Sequence, residues 1–219
     1  MTPAPAAALP PLALSTMAAQ RWPATEGLAP FLALARRLGF RRIELSHILS
    51  QEALSTLRPM DQPQVATVHH PCPRPPGWRD ADALTASDPA ARQRAARALA
   101  DSLRTAHRLG AQAVVLHLGP MPDDAEETGR RLAFELEARQ RAGQGRNPAY
   151  RSALHALLAW RARREPEVLE RAWRELRPLL TEAERLDLRL GLETGYSPLE
   201  LPSPQGMSWL LDQAAASST

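Results

Sequence analysis

A chain of 219 residues, 44% of them hydrophobic, is long enough to bury one sizeable core and points to a single domain spanning 1–219. Its 27 basic and 24 acidic residues leave a net charge of only +3, and every basic residue is arginine. The pI near 9.9 therefore reflects the high pKa of guanidinium rather than a large positive excess, which argues against a nucleic-acid partner.

The densest basic groups are Arg36, Arg37, Arg41 and Arg42, then Arg161, Arg163 and Arg164. Each is flanked by helix-like sequence and is read as a solvated helix face. The lone cysteine, Cys72, excludes an intrachain disulfide, fits a reducing compartment and carries no sign of activation, so it is read as structural. The start, MTPAPAAALPPLALSTMAAQRW, has no basic n-region, and prolines interrupt its apolar run, so it does not read as a signal peptide. No stretch approaches the ~20 apolar residues that cross a bilayer. The expectation is a soluble cytoplasmic protein with no membrane partner.

In chain order, LALST (12–16) reads as a first buried strand, followed by a short amphipathic helix over 31–38 that Gly39 ends. A second strand is expected at 42–46 and a third at 64–69. Asp88 then offers an N-cap with proline behind it, and Ala95, Leu99, Leu103 and Ala106 share one face of a helix stopped by Gly110. AVVLHL (113–118) is a fourth strand. The long stretch 120–166 carries GQGRNP and predicts two helices, near 125–141 and 149–164, joined by that turn. A further helix is expected over 166–185 on the stripe Leu169, Trp173, Leu176, Leu180 and Ala183, before a fifth strand at 188–194. Continuous apolar runs without alternation suit parallel strands covered on both faces. Strand and helix in strict alternation imply a parallel sheet with right-handed crossovers, an α/β fold of the (β/α)-barrel kind.

In such barrels the reactive groups sit at the carboxyl ends of the strands. Read there, Glu44 lies near the end of the second strand, His69 and His70 end the third, His117 nears the end of the fourth, and Glu193 ends the fifth. Neighbouring strands are ~4.8 Å apart, so side chains from the third, fourth and fifth can converge on one ion. Two imidazoles and a carboxylate are the donors a divalent metal uses when it keeps a position open. A carboxylate ending LRLGLE cannot be buried unpaired, which makes Glu193 the strongest candidate. Glu44 is open to a substrate hydroxyl or to an ion pair with Arg41 or Arg42. Trp78 is open to a role as a flat wall for a sugar or as a loop anchor. His47, His107 and His155 are read as surface or packing residues away from the mouth.

The segments LALST, LARRLGFRRIELSH, VATVHHPCP, HRLGAQAVVLHLG and LRLGLETGYSP, in this order, resemble the xylose isomerase-like TIM-barrel family. That family includes sugar phosphate isomerases and epimerases and, more distantly, the endonuclease IV type of DNA-repair enzyme. The resemblance implies a TIM-type barrel with about five of its eight βα units in this sequence. It implies a divalent cofactor (Mn, Zn, Co or Mg) on Glu193, joined by His69 and His117 as at one zinc of endonuclease IV-type sites. Glu193 and Glu44 are the implied catalytic carboxylates, His70 and Trp78 the implied substrate contacts, and a sugar or sugar phosphate the implied ligand. GMSWLLDQ resembles the family's fifth helix. The expectation is thus a barrel truncated after its fifth strand, inactive alone and prone to self-association through open sheet edges. An abasic-site nuclease and a non-catalytic barrel fragment are the alternatives.

Overall fold

The computed structural model describes residues 12–21, 28–58, 63–122 and 128–217. The first eleven residues, and the expected start of a helix at 125, lie outside them. Five strands form one parallel sheet: β1 (Ala13–Ser15), β2 (Arg42–Leu45), β3 (Gln64–His69), β4 (Ala113–Leu116) and, after the two-residue β5 (Gly119–Pro120), β6 (Arg189–Leu192). Their spatial order is β1-β2-β3-β4-β6, so each main strand lies beside the next one in sequence. The molecule is an α/β protein built on this sheet.

Each crossover is helical. The helices are α1 (Ala29–Arg37), the single turn α2 (Gln51–Ser55), α3 (Pro89–Leu109), α4 (Thr128–Arg141), α5 (Pro148–Arg185) and α6 (Pro204–Ser217). The long α3 begins as its sequence dictates: Asp88 accepts from the amides of Ala90 and Ala91, Pro89 occupies the first turn, and Gly110 ends it in the left-handed region at φ 71°. No helix among the described residues is long and apolar enough to cross a membrane.

Two expectations are corrected. The helices expected on either side of Pro166 are one helix, α5, which runs through both Pro166 and Pro178. An internal proline costs a helix ~3 kcal/mol locally. Here the buried stripe of Leu157, Trp160, Val168, Leu169, Ala172 and Leu176 continues across it, and that packing decides the outcome. The strands, moreover, do alternate. Ile43, Leu45, Val68, Val114 and Leu116 are fully buried, while Glu44, Thr67, His69, Val115, His117 and Gly191 on the other face are only half-buried. α3 packs on β3 and β4, and α5 on β6, so the helices cover the first face. The second face carries nearly all the polar strand-end residues.

Candidate metal centre

The ladder itself brings the ligands together. His69 is in register with Val115, and Val115 with Gly191, so His117 and Glu193 stand two residues further along β4 and β6 on the same face. The amide of His70 donates to the Val115 carbonyl and that of Glu193 to the Leu116 carbonyl, extending the sheet to the ligands. His69, His117 and Glu193 place one donor atom each within 4.8 Å of one another.

His69 Nε2 lies 3.3 Å from Glu193 Oε2, and His117 Nε2 lies 3.9 Å from the same oxygen. Ligands ~2.0–2.1 Å from a tetrahedral zinc would stand ~3.3 Å apart, so the first spacing already fits and the second is slightly wide. Protonation sharpens the point. His69 Nδ1 sits 3.1 Å from the carbonyl oxygen of His70 and Nε2 3.3 Å from Glu193 Oε2, and since both oxygens only accept, the single hydrogen of a neutral ring satisfies one of them. A neutral His69 that gives its hydrogen to the carbonyl leaves Nε2 as a bare lone pair facing a carboxylate oxygen. Two acceptors at 3.3 Å repel unless a cation lies between them, either a proton or a metal ion. A carbonyl holding the far nitrogen is also the ordinary outer support of a ligating histidine. His117 departs from that pattern, because its Nδ1 is buried with no hydrogen-bond partner among the described residues.

Other side chains reach the same mouth. The His47 ring centroid is 5.7 Å from that of His69, which corrects the expectation that His47 lies away from it. It stands two residues beyond the end of β2, so reading only the last strand residue misses it. Burial first, then the nearby His69, Arg74 and His117, lower the His47 pKa, with Asp80 opposing them. The exposed Tyr196 approaches His117 at 6.5 Å between ring centroids.

Glu44, one strand from His69, accepts from Thr67 Oγ1 at 3.0 Å, its register partner, in place of the ion pair with Arg41 or Arg42. His70 points to the opposite face. Its ring is buried, with Nδ1 3.3 Å from Ser102 Oγ on α3 and the Trp78 ring edge-on at 5.7 Å. The structure thus brings His69, His117 and Glu193 together, adds His47, and sets His70 with Trp78 under the helix layer. Cys72 is buried beside them, its amide donating to Ser102 Oγ, and burial raises its thiol to about 12. His107 on α3 contacts the Leu186 carbonyl at 3.1 Å, and His155 is exposed on α5. A groove of about 500 Å³ between α5 and α6 is lined by other residues, among them Arg161, Glu165 and Trp209.

No protein-family model matches the chain, and no curated protein does. Among solved structures, the chain is similar to the protein SMc04130 from Sinorhizobium meliloti 1021, at 16% identity and a TM-score of 0.47 over 84% of this chain and 50% of that one. It is also similar to the TTHB071 protein from Thermus thermophilus, solved after soaking with ZnCl2, at 21% identity and a TM-score of 0.49 over 95% of this chain and 64% of that one. The chain spans less than two thirds of the length of either.

Proposed function

We propose that His69, His117 and Glu193 hold one divalent metal ion, and that the chain belongs to a xylose isomerase-like (β/α) barrel that isomerises or epimerises a sugar or sugar phosphate. The observation that carries the metal is the 3.3 Å approach of His69 Nε2 to Glu193 Oε2 while Nδ1 is committed to a carbonyl. A divalent ion bound there supplies Lewis-acid polarisation of a substrate oxygen. The protein's own groups do the rest. His69 and His117 fix one side of the site through strand ends that the ladder holds in register. Glu193, nearly half exposed, is the most accessible of the three. Glu44 retains acceptor capacity beyond its bond to Thr67 and is assigned to substrate hydroxyls or to the proton moved between neighbouring carbons.

Metal content after dialysis against Mn, Co or Zn tests the centre, and turnover of a panel of ketoses and their phosphates tests the chemistry. Uptake of no metal would remove the reading altogether. The paired imidazoles also favour a second reading, an abasic-site nuclease, while the near-neutral charge weighs against it because phosphate contacts dominate DNA affinity. Chelator-sensitive cleavage of an abasic duplex would place that reading first.

A further inference from the structure

The sequence reads Arg161 as part of a solvated helix face, yet its side chain is only 12% exposed and its partner Glu165 only 8%. An ion pair buried to that degree is by itself a poor source of stability, since well-packed apolar residues usually serve as well or better. The remaining bonds of the pair show what it holds. Arg161 Nη1 donates to the Pro198 carbonyl at 2.8 Å and Nη2 to the Glu200 carbonyl at 2.6 Å, while Nε faces Glu165 Oε2 at 3.3 Å. Glu165 Oε1 in turn accepts from the Ser203 amide at 2.6 Å. Two side chains of α5 thereby seize residues 198–203, the segment that follows the Glu193 loop.

That segment is tied to both sides of the metal centre. It contains β7 (Glu200–Leu201), which pairs antiparallel with β5, and β5 begins two residues after His117. The Met121 amide donates to the Leu199 carbonyl at 2.6 Å, and Thr85 Oγ1 to the Pro120 carbonyl at 2.8 Å, so the loop beyond β4 is pinned in the same unit. On the other side the Glu200 side chain folds back over Gly195, two residues from Glu193. A Cβ on that glycine would overlap the Glu200 carboxylate, so only glycine admits the approach.

We propose that Arg161, oriented by Glu165, is a positioning residue for the metal centre: by fixing 198–203 against β5, it steadies the separation of Glu193 from His117 that the ladder establishes. The proposal rests on reading those residues as metal ligands. It acts through the loop, since Arg161 bonds to backbone carbonyls and to Glu165.

The test compares Arg161→Gln and Arg161→Lys with a control, Arg94→Gln, which breaks the pair between Arg94 and the buried Asp82 on α3's flank. Three quantities are read on the full chain: thermal midpoint, Co(II) affinity by chelator competition, and hydrogen exchange of the metal-free protein by mass spectrometry. Arg161→Gln is expected to weaken Co(II) binding about 10- to 100-fold, the size seen when the outer support of a ligand is lost, and to speed exchange across 117–121 and 194–203. Arg161→Lys keeps the charge but loses the fork, and is expected to fall between; it also gives the same readings should the glutamine variant fail to fold. Arg94→Gln is expected to lower the midpoint with Co(II) affinity unchanged. Loss of midpoint in the Arg161 variants without a change in affinity or in exchange at 117–121 would overturn the proposal and leave a merely structural pair. Should the unmutated protein take up no metal, the proposed centre falls, and exchange at 117–121 alone decides: faster exchange upholds the clamp, and unchanged exchange overturns it.

Discussion

His69 and His70 are adjacent in sequence and opposite in surroundings. One strand step turns them to different faces of the sheet. His69 emerges at the half-covered mouth, 14% exposed, with a carboxylate oxygen opposite its Nε2. His70 goes under α3, where Ser102 Oγ, a hydroxyl that itself donates to the Ala98 carbonyl, receives its Nδ1–H and the Cys72 amide. The first imidazole, when neutral, has one hydrogen for two acceptors, a demand that a cation meets in full, whereas the second has its demand met by a neutral hydroxyl. The difference teaches that a polar residue at a strand end is a site candidate only once its face is known.

The largest expected effect lies on the mouth side. Glu193→Ala removes the one anionic donor of the three, and metal affinity measured by calorimetry is expected to fall by ~100-fold or more, with little change in the metal-free midpoint because the side chain is half exposed. Retained affinity would mean that the ion, if any, sits elsewhere.

On the buried side, Ser102→Ala leaves the Cys72 amide and His70 Nδ1–H without their acceptor. Each stranded donor costs ~1–3 kcal/mol, so urea unfolding is expected to show a loss of about 2 kcal/mol or more with metal binding intact. Acid gives an independent view of the same pocket. Burial, and secondarily the nearness of His69, push the His70 imidazole down to about 3. An unfolded histidine binds its proton near pH 6.5. Below that pH the unfolded chain takes up a proton that the native chain refuses, so this group's contribution is complete above about 6.5 and drains away as pH falls toward 3, with a slope of up to ~1.4 kcal/mol per pH unit. His70→Leu is expected to flatten the acid limb of a stability–pH profile between 6.5 and 5; an unchanged limb would show that His70 titrates normally.

How much of this was legible follows the same line. The five main strands and the trio His69, His117 and Glu193 were readable, because buried parallel strands announce themselves as short apolar runs and their carboxyl ends are fixed points. Which of two adjacent histidines faces the mouth was not, since the runs hide the period that the burial reveals. His47 escaped because it sits on the loop beyond β2, where no periodicity applies. The continuity of α5 through Pro166 escaped because a proline is a local signal and the stripe that overrides it is tertiary. Arg161 was invisible for a related reason: its carbonyl partners lie 37 and 39 residues away.

The smallest expected effect sharpens the comparison most, because it separates the two cations that could stand between His69 and Glu193. Glu193→Gln replaces a carboxylate oxygen with an amide that can donate to the bare Nε2 of His69. The metal-free variant exchanges a repulsion between two acceptors for a partly exposed hydrogen bond, worth about 0.5–1 kcal/mol in its favour. Adding Co(II) or Zn(II) is expected to reverse the sign, because a neutral amide is the poorer ligand. Urea midpoints of the two proteins, with and without metal, give the two differences. A variant less stable than its parent without metal would mean that His69 Nε2 carries a hydrogen of its own, and the strongest ground for a metal at this mouth would be gone.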